Sequence, residues 1–142
     1  MPRRLLRHVR YRLLEHTADI CIEAYGKDIN EIFENSAYAL FDQMTEVERV
    51  RKRGTESITL AAASTDALLV DYLSELIFIS STMGFLFCDF SVRVNGLELV
   101  STASGEKIDR RRHVLKDDVK AVTYHMLELN TVEGYARFII DV

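Results

Sequence analysis

The stretch that decides the fold is Ala18-Asp-Ile-Cys-Ile-Glu-Ala-Tyr-Gly-Lys-Asp-Ile-Asn-Glu-Ile-Phe-Glu-Asn-Ser-Ala-Tyr-Ala-Leu-Phe-Asp-Gln-Met44. Its first part alternates apolar residues with polar or small ones, which predicts a half-buried strand over 18–25. A glycine then ends the strand, and Asp28 with Glu31 has the pattern of a capping box at the start of a helix. Apolar residues at helical spacing predict that this helix covers 29–44.

Outward from this stretch, the chain supplies a second strand–helix pair and then a strand-rich half. Alternation predicts a strand over 57–63, and Ser64 or Thr65 can cap the apolar helix that follows. Asn95-Gly96 predicts a two-residue hairpin turn, because both residue types tolerate positive φ. The other predicted strands cover 11–15, 89–94, 97–103, 119–129 and 135–141.

Three further segments need interpretation: the strand at 119–129 and two polar stretches. The strand at 119–129 has apolar residues on both faces, so we expect it to be central in its sheet. Residues 46–55 are interpreted as a charged connector and residues 104–116 as a polar loop. We expect the arginine runs of both segments, and Ser80 and Ser81, to face solvent.

The order of these elements predicts an α+β fold: one two-layer domain with two helices packed on a mostly antiparallel sheet. The order also suggests a nested duplication of a strand-helix-strand-strand unit. The strand and helix at 18–44 would pair with the last two strands around an inner unit at 57–103. This nesting rests on element order and not on repeated sequence.

Composition agrees with one globular domain. The chain has 142 residues, of which 48% are hydrophobic and 28% charged, and domains commonly have ~100–200 residues. No apolar run approaches the roughly 20 residues of a membrane-spanning helix, and no apolar region follows the basic N-terminus, so neither membrane association nor a secretory signal is expected. Cys21 and Cys88 have no metal or redox spacing, which favours a reducing, cytoplasmic location.

Charge is unevenly distributed along the chain. Residues 1–12 contain five arginines and no acidic residue, while the other 130 residues have a net charge of −9. An acidic body argues against sequence-independent nucleic-acid binding, which needs a basic face. The basic arm at 1–10 could contact RNA or an acidic partner, or be a solvated chain terminus.

Two polar clusters contain oxygen ligands. The segment 15–19 brings Glu15, His16 and Asp19 to the start of a strand, where Asp19 could be a cation ligand, a catalytic acid or a simple turn residue. At the other end of the chain, Asp141 is followed by the α-carboxylate of Val142. Adjacent carboxylates suit calcium or magnesium. If the first and last strands are antiparallel neighbours, these groups meet.

A third cluster lies at 120–125, where Lys120 and Tyr124 share one face of a strand and Thr123 and His125 share the other. With the first two clusters, it makes the chain resemble the archease family. The segments that carry the resemblance are Tyr11-Arg-Leu-Leu-Glu-His-Thr-Ala-Asp19, Ala37-Tyr-Ala-Leu-Phe-Asp42, Leu73-Ser-Glu-Leu76, Phe87-Cys-Asp-Phe90, Gly105-Glu-Lys107, Val119-Lys-Ala-Val-Thr-Tyr-His125 and Ile139-Ile-Asp-Val142. The resemblance covers residues 11–142, an archease-like domain after the arm. One departure is Cys21, where the family is expected to have glycine.

The resemblance implies a protein cofactor rather than an enzyme: an activator of the tRNA-splicing RNA ligase that promotes its guanylylation and multiple turnover. It also implies a divalent cation, calcium foremost, held by Asp19, Asp141 and Val142. The ligase is then the partner, and any contact with tRNA is indirect or weak. We expect the residues that contact the ligase to be Lys120, Glu75, His16, Tyr124 and His125.

Two alternatives remain open at the level of sequence. One is a small metal-dependent hydrolase that uses Asp19, Asp141, His16 and His125, with a metal-activated water and a neighbouring base. The other is a general chaperone, or a modulator of nucleic-acid-processing proteins, that acts through the arginine arm.

Overall fold

The computed structural model describes residues 9–15 and 19–142. Seven strands and two helices follow one another along these residues, with a 3₁₀ turn at Val47–Arg49. In chain order they are β1 (Tyr11–Leu14), β2 (Ile20–Tyr25), α1 (Ile29–Met44), β3 (Gly54–Ala61), α2 (Thr65–Met83), β4 (Phe85–Asn95), β5 (Glu98–Lys107), β6 (Ala121–Asn130) and β7 (Tyr135–Asp141). The α+β class with two helices is confirmed.

The strands divide between two antiparallel sheets. The terminal sheet has the order β1-β2-β7-β6, and the inserted sheet has the order β3-β5-β4. The inserted sheet and α2 therefore come from one continuous segment placed inside the chain of the terminal sheet, as the nesting predicts. With β1 left out, the outer unit (β2, α1, β6, β7) and the inner unit (β3, α2, β4, β5) both run strand-helix-strand-strand, and in both the last strand lies between the other two.

Both helices begin with the caps that the sequence indicates. The Asp28 side chain accepts a 2.9 Å hydrogen bond from the backbone N–H of Glu31, and the Glu31 carboxylate accepts one from Lys27 rather than from Asp28 itself. Ser64 caps α2 by accepting from the backbone N–H of Ala67 at 3.1 Å. Each side-chain cap satisfies one helix-terminal donor that would otherwise have no partner.

Each helix also packs beside the edge strand of the other unit's sheet: α1 contacts β4, and α2 contacts β6. The carboxylate of Glu34 accepts a 2.9 Å hydrogen bond from the N–H of Val92, and Asn30 accepts one of 2.8 Å from Val94. These α1 side chains thus accept hydrogen bonds from backbone N–H groups of the edge strand β4. The bonds join α1, which packs on the terminal sheet, to the inserted sheet. The main core lies between the helices and the inner faces of the sheets and includes Ile22, Phe33, Phe41, Leu69, Tyr72, Leu73, Phe87 and Phe138.

Two predictions about the strands are wrong. β6 is an edge strand of the terminal sheet, and β7 lies between β6 and β2. The apolar residues on both faces of β6 do not reflect burial on both faces: Val122 is buried, whereas Tyr124 and Met126 are exposed. The hairpin turn is also displaced by one residue: Asn95 pairs with Glu98, and the loop is Gly96 and Leu97. Gly96 has a φ of 64°, as expected at the first central position of a type II′ turn.

The predicted polar loop at 104–116 is also wrong in its first part, because β5 continues to Lys107. Gly105 allows this close pairing, since a Cβ there would lie only 1.9 Å from the carbonyl oxygen of Leu86. Ser80 is buried rather than solvent-facing, and its hydroxyl donates a 2.5 Å hydrogen bond to the carbonyl of Phe85. Neither helix in the part of the chain that the structure describes is long and apolar enough to span a membrane.

Candidate functional site

The structure brings the two predicted aspartate ligands to the same end of the terminal sheet. β2 and β7 pair antiparallel, with Ile20 opposite Ile140. Asp19 directly precedes Ile20, and Asp141 directly follows Ile140. The antiparallel pairing on which the sequence-based site depends is therefore present.

Lys120 lies at the same end of this sheet. Its backbone N–H donates a 2.8 Å hydrogen bond to the carbonyl oxygen of Asp141, and the next residue, Ala121, pairs directly with Asp141. The side chains of Lys120 and Asp141 are both exposed, and Asp19 is partly exposed. Lys120, Asp19, Asp141 and Val142 all lie at this end of the sheet, and we call them the strand-end cluster.

The part of β6 beyond this cluster is irregular. Its pairing with β7 is regular up to Thr123 and resumes at Glu128. Between these points Tyr124, His125 and Met126 are exposed, and Met126 has a φ of 58°. Such a left-handed conformation is uncommon outside glycine. The segment therefore presents a strained backbone and two large apolar side chains further along β6 from the strand-end cluster.

Two other residues predicted to contact the partner, Glu75 and His16, are not part of the strand-end cluster. Glu75 is partly buried on α2, the helix that packs beside β6. No hydrogen bond or ion pair within residues 9–15 and 19–142 joins Glu75 to Lys120. His16 lies outside the described residues, as do residues 1–8 of the basic arm. Arg10, the last residue of the arm, donates to Asn35 at 3.0 Å and lies over the ring of Tyr38.

The outer face of the terminal sheet contains a buried ion-pair network. The alternation of apolar and polar residues along β2 did not predict it. Glu23 is fully buried and accepts hydrogen bonds from Arg12 at 3.2 Å, from the Tyr25 hydroxyl at 2.7 Å and from two nitrogens of Arg137 at 2.7 and 3.0 Å. Arg137 also donates to Glu128 at 3.0 Å. This network joins all four strands of the sheet, and so it holds the register that places the strand-end cluster.

Cys21 occupies the same face between this network and Asp19. It pairs with Leu14 and Ile139 without any break in register, so the replacement of the expected glycine does not distort β2. Burial raises the pKa of the Cys21 thiol, although the charge of Arg137 opposes the shift. The thiolate form, which is the one that binds metals, is therefore disfavoured at Cys21.

The oxygen donors present at this sheet end fit a hard cation. Two are the aspartate carboxylates of Asp19 and Asp141, and a third is the C-terminal carboxylate of Val142. Thr123 lies on β6 two residues after Ala121, on the face of Asp141, and its buried hydroxyl has no hydrogen-bond partner among the described residues. Calcium takes such oxygen ligands in irregular geometry.

No three side chains of histidine, cysteine, aspartate or glutamate in the described ranges form a metal-binding group. The predicted ligand set contains only two such side chains together with a main-chain carboxylate. His125 lies four residues beyond Ala121, in the irregular part of β6.

Sequence reasoning missed a second charged cluster, on the inserted sheet. Glu106 is only 6% exposed and bonds to Arg112 and His113. We predicted this region as a polar loop whose arginines face solvent, and for Arg112 that prediction is wrong. The signal that could have indicated it is the segment Gly105-Glu-Lys107, where a close-approach glycine precedes an acidic residue with basic runs on both sides.

Comparison with known proteins agrees with the geometry. Residues 11–142 match the model of the Archease protein family (MTH1598/TM1083). The protein archease of Methanothermobacter thermautotrophicus is 39% identical over 137 residues, which cover 92% of this chain and 97% of that protein. The protein archease of Pyrococcus abyssi is 38% identical, with 84% and 87% covered.

Two solved structures share the fold. The solution structure of protein 1598 from Methanobacterium thermoautotrophicum superposes with a TM-score of 0.80 at 35% identity, and covers 94% of this chain and 99% of that one. The crystal structure of a Thermotoga maritima archease, described as a possible chaperone, has a TM-score of 0.63 at 21% identity, with 92% and 96% covered. The nested two-sheet fold, the matched family model and relatives at 38–39% identity together show that this chain belongs to the archease family.

Proposed function

We propose that this chain is a protein cofactor of an RNA ligase, the tRNA-splicing ligase that joins RNA ends, and that it promotes guanylylation and repeated turnover of that ligase. The observation that carries the proposal is the strand-end cluster, whose carboxylates and lysine lie at one end of the terminal sheet, with the exposed, irregular segment at 124–126 further along the same edge strand β6. Membership of the archease family and the chaperone description of a relative agree with a role that acts on another protein.

The strand-end cluster and the exposed residues of β6 together have the composition of a protein-binding surface rather than of a catalytic site. Tyr124 and Met126 are each 58% exposed, an unusual position for such large apolar side chains. Aromatic residues and methionine are enriched at interfaces. Lys120 just before β6 and Asp141 at the end of β7 supply one positive and one negative group, which can fix the orientation of a bound partner.

We further propose that a divalent cation, calcium foremost, binds Asp19, Asp141 and the carboxylate of Val142. When bound, the cation would neutralise the repulsion between these carboxylates and hold the two chain segments together. Lys120 is tied to Asp141 through the backbone, so ordering of the sheet end would also order Lys120. The cation thereby has a structural role for the partner surface.

The physical means of activation is selective binding. A partner can shift a conformational equilibrium only by as much as it binds one state more tightly than another. A surface that binds the ligase conformation competent for nucleotide attack would therefore raise the rate of guanylylation without joining in the chemistry. Neither ligation nor GTP consumption is expected from this chain alone.

A direct test measures transfer of labelled GMP to purified ligase with this protein, without it, and with this protein alone. We expect label on the ligase to rise faster with the protein, and no GTP consumption by the protein alone. Metal-dependent hydrolysis of a phosphoester by the isolated protein, with no effect on the ligase, would instead favour the hydrolase.

A further inference from the structure

Two basic runs that are distant in sequence meet in space on the inserted sheet. They lie at 49–53 and 107–112 and contain eight of the 13 lysines and arginines found outside residues 1–12. A cavity of about 540 Å³ opens between them, and its charged lining residues are Arg51, Arg53, Glu106, Lys107, Asp109 and Arg112. We call this cavity the basic pocket. Four cations face two carboxylates there, in a protein whose body is otherwise acidic.

The buried carboxylate of Glu106 fixes the geometry of the pocket. It accepts hydrogen bonds from the Arg112 guanidinium, from Nε2 of His113 at 3.0 Å and from the backbone N–H of Arg51 at 2.6 Å. Nδ1 of His113 accepts from the backbone N–H of Asp109 at 2.9 Å, so the donor to Glu106 is the Nε2–H. The bond from Arg112 contributes most to lowering the pKa of Glu106 to about 2.

The side chains of three basic residues in the pocket form no hydrogen bond with Glu106. Within the described residues, the side chains of Arg51 and Lys107 have no hydrogen bond or ion pair, and both residues are exposed. Nε of Arg53 lies 3.7 Å from Glu106, too far for a hydrogen bond, and this side chain is 65% exposed. With Glu106 and Asp109 counted against the four cations of the lining, the pocket keeps an excess of two positive charges.

We infer that the basic pocket binds a phosphate group through the guanidinium groups of Arg51 and Arg53 and the ammonium group of Lys107. Arginine binds phosphate oxygens through paired N–H donors, and lysine adds a compact positive charge. The fixed backbone of both runs holds these groups around one cavity and favours a single bound anion over diffuse counter-ions. The phosphate could belong to an RNA backbone or to a free nucleotide. The inference rests on the pocket's own residues and is independent of the proposed ligase role.

The test compares the binding of three probes: inorganic phosphate, ATP and a short labelled single-stranded RNA. The variant Arg51→Ala/Arg53→Ala removes two exposed pocket cations; it keeps the backbone bond from Arg51 to Glu106 and removes only the 3.7 Å ion pair between Arg53 and Glu106. The matched control Lys27→Ala/Arg93→Ala removes two charges from a different groove, whose lining also includes Asp28, Glu31 and Glu34. Thermal melts establish that both double variants fold.

We expect the pocket variant to lose affinity by about tenfold or more for every probe that binds, and the control to lose little. If RNA is the source, its affinity also falls steeply with salt, and the slope of log affinity against log salt decreases by roughly 1.4 in the pocket variant. Tighter binding of ATP than of RNA would assign the pocket to a nucleotide. The inference is overturned if both double variants weaken binding equally, or if wild-type protein binds none of the three probes.

Discussion

The backbone N–H of Lys120 donates a 2.8 Å hydrogen bond to the carbonyl oxygen of Asp141. This bond joins the start of β6 to the end of β7 and places the best candidate for a ligase contact beside a candidate cation ligand. Because the bond uses backbone atoms only, either side chain can be replaced without breaking it. Variants at these two positions therefore report on function more than on folding.

Replacement of Lys120 tests the partner surface. Lys120→Ala should reduce ligase activation several-fold and change the free energy of unfolding by no more than about 0.5 kcal/mol, because its side chain is exposed. Guanylylation rates measured with equal amounts of each variant check this. The matched control is Lys27→Ala, which makes the same change just after the opposite end of β2 and should leave activation unchanged. A large loss of thermal stability in Lys120→Ala would show a structural role instead.

The free C-terminus tests the cation site. A tag fused after Val142 converts the terminal carboxylate to an amide and should weaken calcium binding, as should Asp19→Asn or Asp141→Asn. Titration calorimetry measures the affinity, with Glu98→Gln on the inserted sheet as the control for loss of one negative charge. Equal calcium affinity in tagged and untagged protein would remove Val142 from the site.

Acid titration tests the role of Glu106. Its pKa in the folded protein, about 2, lies below the ordinary value of 4.5, so its contribution to stability is fully present above pH 4.5 and is lost as the pH falls towards 2. We expect Glu106→Gln to lower the free energy of unfolding by about 2 kcal/mol at neutral pH and to flatten its pH dependence in this window. Urea unfolding at several pH values measures both. A variant with wild-type pH dependence would contradict the anchoring role of this carboxylate.

The irregular segment of β6 supplies a prediction about strain. A non-glycine residue in the left-handed region costs roughly 1–2 kcal/mol, so Met126→Gly should raise the free energy of unfolding by up to about 1 kcal/mol. Tyr124→Gly, in the same segment but without positive φ, should lower it. Denaturant unfolding of the two variants side by side makes the comparison. The prediction fails if Met126→Gly destabilises the protein as much as Tyr124→Gly does.

Local sequence patterns were sufficient to predict the two helices, and the order of the elements was sufficient to predict the nesting. The caps at Asp28 and Ser64 depend on residues three positions apart, and the apolar faces of α1 and α2 repeat within each helix. The order of elements was enough to indicate that an inner unit is inserted between the strands of an outer one. The convergence of Asp19 and Asp141 followed from that order and from the alternation of β2 and β7.

Several features that the sequence did not predict depend on contacts that residue alternation along one strand does not show. Apolar residues on both faces of β6 suggested a central strand, but β6 is an edge strand and its Tyr124 and Met126 are exposed. Glu106 resembles any polar loop residue until Arg112 and His113 fold back onto it. Glu23 likewise has the pattern of an outward-facing strand residue, and only Arg12 and Arg137 on the neighbouring strands explain its burial.

The central claim is that this chain activates an RNA ligase through the strand-end cluster, and multiple turnover tests it most directly. The measurement counts RNA joining events per ligase molecule while this protein is titrated from substoichiometric amounts to excess. We predict that substoichiometric protein restores repeated rounds to spent ligase, and that Lys120→Ala does so much less well than Lys27→Ala. A ligase that performs the same number of rounds at every concentration of this protein would contradict the account.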